Sequence, residues 1–167
     1  MQQCKACDLH KNIINQVQCT GNLQGKILWL LDAPTKEEDI TGKAGAGIIS
    51  IIESICNSTG VDFQSSLFQN IVLCRAATKQ AGLSVETLPE QFLTCINNVL
   101  SVINAYHVEI VFLCGKNVDK YYKSRISIPH LTIVNPIVIR EAGGFTSNIY
   151  IDTINKIRKW KYENGIE

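Results

Sequence analysis

The sequence has no long hydrophobic run, few prolines and no excess of either charge, and each shortage excludes something. Its unbroken apolar stretches, such as Ile27-Leu28-Trp29-Leu30-Leu31, stop far short of the roughly 18 residues needed to cross a bilayer, so no membrane partner is expected. The start Met-Gln-Gln-Cys-Lys-Ala-Cys-Asp lacks the basic and apolar regions of a secretory signal, and a soluble intracellular protein is expected. Sixteen Lys and Arg against 15 Asp and Glu leave a net charge of +1. That rules out a strongly basic nucleic-acid wrapper and an acidic tail, so any nucleic acid must meet a local basic patch. Only four prolines, no low-complexity linker and no internal repeat interrupt the 167 residues. The length suits one domain spanning 1–167 and is too short for two enzymatic domains in series.

What is there alternates between short strand-like runs and amphipathic ones, which predicts an α/β fold. Runs at 26–31, 69–74, 109–113 and 131–134 are rich in Ile, Val, Leu or Phe and close on turn residues. Their near-continuous apolar character fits a mostly parallel four-stranded sheet covered on both faces, a three-layer αβα sandwich. Helices are expected over 46–57, 88–105, 116–123 and 147–162. The second has a Thr87-x-x-Glu90 capping signature and an apolar stripe at Phe92, Cys95/Ile96, Val99 and Ile103. In such a sheet ligands meet the loops at the carboxyl ends of the strands, here 32–47, 75–87, 115 onward and 135–144.

Seven cysteines is an odd number without the spacing of a small disulfide scaffold, so free thiols and metal ligands are the better expectation. Cys4-Lys-Ala-Cys7 places two thiols together, but no strand precedes them as a thioredoxin-like pair requires, and no second close pair completes a zinc ribbon. Cys74 and Cys95 are the distant thiols able to approach them, which suits one Fe–S cluster, with zinc as the alternative metal; simple burial as small hydrophobes also accounts for them. The glycine-rich stretch Gly42-Lys43-Ala44-Gly45-Ala46-Gly47 leads into a helix and offers backbone N–H groups to an anion such as a DNA phosphate. It matches neither nucleotide fingerprint, and a plain capped turn explains it equally well. Asn70 and Asn135 carry both a donor and an acceptor, as reading a pyrimidine edge requires.

In order, these pieces resemble the iron–sulfur, family 4 type of the uracil-DNA glycosylase superfamily. Cys4-Lys5-Ala6-Cys7-Asp8-Leu9 matches its opening C-x-x-C-x-L. Leu31-Asp32-Ala33-Pro34-Thr35-Lys36-Glu37-Glu38-Asp39 and Gly42-Lys43-Ala44-Gly45 match its first active-site loop. Asn70-Ile71-Val72-Leu73-Cys74-Arg75 matches N-x-x-x-C-R, Leu113-Cys114-Gly115 its L-G, and Asn135-Pro136-Ile137-Val138-Ile139-Arg140 its H-P-S-x-x-L-R. The resemblance spans nearly the whole chain. Four departures stand out. The acidic residue is Asp32 rather than Glu, Thr35 replaces a glycine, the loop has no Phe to stack on a base, and the motif His is Asn135. Mismatch-specific glycosylases of the same superfamily also carry N-P there. The loop between Cys74 and Cys95 is longer than is usual for the family.

The resemblance implies a structural [4Fe–4S] cluster on Cys4, Cys7, Cys74 and Cys95. It also implies hydrolysis of the N-glycosidic bond of uracil, or another modified pyrimidine, flipped out of single- or double-stranded DNA. On that reading Asp32 and Asn135 are catalytic. Ala33, Pro34, Asn70 and Arg140 bind substrate, and Lys43, Gly45 and Lys116 meet DNA phosphates. Arg140 and the Val138/Ile139 pair lie where the family fills the gap left by the flipped base. A monomer is expected, cytoplasmic and nucleoid-associated, or in a host cytoplasm if viral. The competing expectation is a catalytically impaired DNA-binding or replication-accessory module, partnered by a replication protein; a zinc-stapled interaction domain is the third. Lysines 116, 120 and 123 share a helix face suited to phosphates, whereas Lys156, Arg158, Lys159 and Lys161 read as plain surface.

Overall fold

The computed structural model describes residues 4–76 and 86–166. In chain order the elements are β1 (Thr20–Gly21), β2 (Ile27–Leu31), α1 (Lys36–Thr41), α2 (Ile49–Thr59) and β3 (Ser66–Asn70). There follow α3 (Pro89–Ala105), β4 (Ile110–Cys114), α4 (Lys116–Tyr122), β5 (His130–Ile133), α5 (Pro136–Glu141) and α6 (Asn148–Asn164).

The sheet order is β1-β3-β2-β4-β5, parallel except for β1, which pairs antiparallel with β3. The sheet thus has five strands where four were expected; the added one is two residues long at an edge, too short to show a period. Side chains alternate across the sheet as a pleat requires. Ile27, Trp29, Leu31, Phe68, Phe112 and Cys114 face one layer, where Ile52, Ile55, Ile139 and Ile157 from α2, α5 and α6 meet them. Leu28, Leu30, Leu67, Val111 and Leu113 face the other, against Phe92, Cys95 and Val99 of α3, Val118 and Tyr122 of α4, and Leu9. The three-layer α/β architecture is the one expected.

Three boundaries differ. The third strand is Ser66–Asn70, not 69–74: Ile71, Val72 and Cys74 are buried, but after a last bond from Ile71 N to Leu31 O of β2 at 2.8 Å the backbone leaves the ladder, and Leu73 O accepts from Val17 N at 2.7 Å. Helix α3 begins after Leu88, whose N–H is taken by Gln91 Oε1 at 2.8 Å. Pro89 suits a first helical turn that needs no N–H, and this displaces the cap expected at Thr87. Two short helices, α1 and α5, occupy stretches expected to be loop. Part of the long loop between Cys74 and Cys95, residues 77–85, lies outside the described residues.

The chain runs from β2 to its neighbour β3 on one side, then crosses to β4 on the other side of β2. The carboxyl ends of β2 and β4 therefore flank a topological switch point, where connections diverge and leave a crevice.

Candidate functional site

That crevice is a cavity of about 760 Å³ lined by residues following β2, β4 and β5, with Lys156 reaching in from α6. Asp32, the first residue beyond β2, and Asn135, the second beyond β5, both line it, as do Lys116 and Val138. The Asp32 carboxylate accepts from Ala33 N at 2.8 Å and from Asn117 Nδ2, at 3.0 Å to Oδ2 and 3.4 Å to Oδ1. Burial pushes its carboxyl above the usual range, while these two bonds pull the other way.

Asn135 caps α5. Its Oδ1 accepts from Ile137 N at 3.0 Å, and Pro136 follows at the first helical position. Because the cap consumes the acceptor, the amide donor Nδ2 is the end left for a ligand. Gly115 lies beside it with φ of +115°, a backbone turn that favours glycine.

Asn70 ends β3 and is fully buried. Its Nδ2 donates to Asp32 O at 3.0 Å and to Glu38 Oε1 at 3.3 Å, and its Oδ1 has no partner among the described residues. A buried acceptor without a donor is costly, and it is the kind of atom that an incoming N–H completes. Glu38 organises this corner, a role the sequence reading did not assign. Its carboxylate accepts from Thr35 N and Gly45 N, each at 2.8 Å, as well as from Asn70. Thr35 Oγ1 in turn takes Glu38 N, a reciprocal capping box that starts α1. The Thr-x-x-Glu spacing was the available signal.

The remaining expected residues are dispersed. Ala33 and buried Pro34 shape the turn beside Asp32. Gly45 is buried and spends its N–H on Glu38. Lys43 is exposed on a second, smaller groove of about 370 Å³ along the β1 edge. Arg140 is exposed on α5 and its Nη1 donates to Gly47 O at 3.0 Å. Of the Val138/Ile139 pair, Val138 is exposed at the cavity and Ile139 is core. The C-terminal basic group divides too. Arg158 bonds Ser58 O, Lys161 bonds the carbonyls of Thr59 and Gly60, and Lys159 pairs with Glu163. Lys156 instead lines the cavity with Lys116 and Lys123, a cationic rim that sequence grouping did not separate out. Asp119 lies there too, bonded by the Thr132 hydroxyl; that bond and nearby Lys123 hold its carboxyl below the usual range.

The N-terminal segment is strapped to the opposite layer. Asp39 Oδ1 accepts from Ile14 N at 2.9 Å and Asn15 N at 3.2 Å, and its Oδ2 lies 3.9 Å from Arg75 Nη1. Gln16 bonds both backbone groups of Cys4, at 2.9 and 2.7 Å, and its Nε2 lies 3.6 Å from Cys74 Sγ. Burial pushes the Cys74 thiol up to about 12, and negative charge on Cys95, Cys7 and Cys4 adds to the rise. Gln16 thus links Cys4 to Cys74, and Cys7, Cys74 and Cys95 belong to one apolar cluster; thiols are soft donors suited to iron or zinc. Among the described residues, no three metal-capable side chains stand at ligating distance.

No family model matches the chain. It is 24% identical over 123 residues to a type-4 uracil-DNA glycosylase of Thermotoga maritima, covering 73% of this chain and 62% of that one. Against the type-4 enzyme of Archaeoglobus fulgidus it is 22% identical over 134 residues, 80% of this chain and 65% of that one. The Saccharolobus solfataricus type-4 enzyme gives 22% over 130 residues, 77% and 58%. The chain therefore spans less than two thirds of the length of these relatives. A candidate uracil DNA glycosylase of Methanosarcina acetivorans, solved by NMR in solution, superposes with a TM-score of 0.54 at 10% identity, covering 89% of this chain and 99% of that one; it speaks for the fold. The chain is similar to type-4 uracil-DNA glycosylases over about three quarters of its length, and it shares the fold of the solved neighbour. At the cavity no aromatic side chain is among the lining residues, and an amide stands at position 135.

Proposed function

We propose that this chain is a divergent member of the uracil-DNA glycosylase superfamily, a DNA glycosylase that hydrolyses the N-glycosidic bond of uracil, or a related pyrimidine, flipped out of DNA. The observation that carries the reading is Asp32 and Asn135 lining one cavity at the switch point, under a rim of Lys116, Lys123 and Lys156. Breaking the bond builds positive charge on the deoxyribose and negative charge on the departing base, so the site needs an anion at the sugar and a donor at the base. Asp32 is the anion and orients the attacking water. Asn135, with its acceptor spent on the α5 cap, is the donor toward the base. Asn70 offers its unpartnered Oδ1 to the ring N–H of the uracil edge. The three lysines draw the phosphates to the rim, exposed Val138 is placed to fill the vacated stack, and Arg140 steadies α5 against Gly47. Gly45 belongs to the corner behind Asn70 and acts on DNA only through the shape of that loop, and Lys43, on the β1-edge groove, stands apart from the cavity.

Cys4, Cys7, Cys74 and Cys95 would hold a [4Fe–4S] cluster, which ties the N-terminal segment to the domain and takes no part in base excision. Burial holds the thiols of Cys74 and Cys95 in the neutral form, and a bound metal would favour their ionised form. A second reading, a DNA-binding or replication-accessory module that has lost catalysis, draws on the aromatic-free cavity.

The experiment is anaerobic purification with iron and zinc analysis, followed by incubation with a single-stranded uracil-containing oligonucleotide beside an Asp32→Asn control. Iron together with abasic sites that vanish in the control supports the glycosylase. Salt-sensitive DNA binding without abasic sites supports the accessory module, and zinc in place of iron overturns the cluster.

A further inference from the structure

We propose that Asn117 is a positioning residue, the side chain that fixes the orientation and the anionic form of the Asp32 carboxylate in the cavity. It rests on the glycosylase reading for its catalytic meaning, but its geometry stands apart from it. Asn117 is the second residue of α4, beyond β4, and Asp32 the first beyond β2. The two strands pair directly at the switch point, so residues 85 apart in sequence meet across the crevice. The amide reaches both carboxylate oxygens, at 3.0 and 3.4 Å, and the Ala33 N–H holds Oδ1 from the other side at 2.8 Å.

A neutral amide suits the task. A lysine bonded there would also orient the carboxylate, but it would cancel the negative charge needed against a sugar cation; an amide orients and leaves the charge in place. The charged groups facing Asp32 are Lys116 and Asp119 from α4, Lys123 from the turn after it and Lys156 from α6; β5 and α5 contribute only uncharged residues to the lining. Lys123 pairs with Asp119 at 3.5 Å. Against burial, which favours the neutral acid, the two hydrogen bonds are what favour the anion. Asn117 is exposed, and alanine is the better helix former, so the substitution Asn117→Ala removes the bond without removing core.

The test follows the Asp32 carboxyl by 13C NMR through a pH titration of the full chain, its resonance assigned by its loss in Asp32→Asn. In Asn117→Ala the midpoint is expected to rise by roughly half to one pH unit, and in Asn117→Asp further, because a like charge replaces the donor. The melting temperature of Asn117→Ala is expected to stay within about 2 °C. A midpoint unmoved in both variants overturns the assignment. If the wild type excises uracil, the acid limb of kcat/KM is expected to shift with the NMR midpoint, and a limb that stays put overturns the catalytic role. A wild type without excision defeats the glycosylase reading and with it the catalytic role, while the titration still decides whether Asn117 holds Asp32.

Discussion

Replacing Glu38 tests whether one buried carboxylate holds the Asn70 corner together. The side chain is 2% exposed and accepts from Thr35 N, Gly45 N and Asn70 Nδ2. Glu38→Ala leaves Asn70 its bond to Asp32 O, but strands the backbone donors of Thr35 and Gly45. Each unsatisfied buried donor costs about 1–3 kcal/mol. Thr35 is only half-buried, so water recovers part of its share and the sum is about 3–4 kcal/mol. Against a stability of about 5–15 kcal/mol the variant still folds. At about 2–4 °C per kcal/mol for a chain of this size, its melting temperature falls by roughly 6–16 °C. Glu38→Gln keeps the shape but points an NH2 at one of the N–H donors, and it is expected to lose about half as much. Because a carboxylate only accepts, it also forbids the Asn70 amide to turn over. Urea unfolding followed by circular dichroism measures both variants. A Glu38→Ala loss below about 1 kcal/mol, or a neutral Glu38→Gln, would refute the reasoning.

Asp32→Asn is expected to stabilise the domain at neutral pH. Burial raises the folded pKa of Asp32 above its unfolded value, so the folded state binds more protons between the two, and stability falls as pH rises through that window. Exposed Asn117 can turn its amide to accept from the new side chain; the gain over wild type should be present at pH 7 and vanish below the unfolded pKa, as pH-dependent melting will report. Asp39→Ala removes the acceptor of Ile14 N and Asn15 N, so amide exchange over residues 13–17 should accelerate while β2 and β4 stay protected. Burial pushes the thiol of Cys56 up to about 12 and that of Cys114 higher still; neither should react with a thiol reagent until the protein unfolds, and rapid modification of either would contradict their packing.

Strands β2, β4 and β5 were legible because parallel strands covered on both faces read as plain apolar runs. The same rule misplaced β3. Residues 71–74 are as apolar as any strand and as buried, but hydrophobicity reports burial, not pairing; here they pack under the N-terminal segment. The true strand, Ser66–Asn70, contains polar residues whose partners are remote. Ser66 Oγ takes the indole N–H of Trp29 at 3.1 Å, and Gln69 folds back onto Asn70 O. No local period could reveal those bonds.

For the candidate site the division follows the same line. Asp32 and Asn135 could be found because each stands just beyond the end of an apolar run, where a doubly wound sheet puts its ligand; Asn70, read as the start of a strand that it in fact ends, was found only through the motif it opens. Asn117 and Lys156 could not. Seeing Asn117 against Asp32 requires knowing that β3 pairs on one side of β2 and β4 on the other, a fact of crossover order that strand-like runs do not carry. Separating Lys156 from Arg158 and Lys161 requires knowing that the latter two reach the carbonyls ending α2. Lys156 lies two residues before Arg158, roughly 200° round a helix of 3.6 residues per turn, and so meets the cavity instead. A charge cluster that looks uniform in sequence is divided by helix geometry into two residues that close a helix, one that pairs with Glu163 and one that faces the cavity with Asp32.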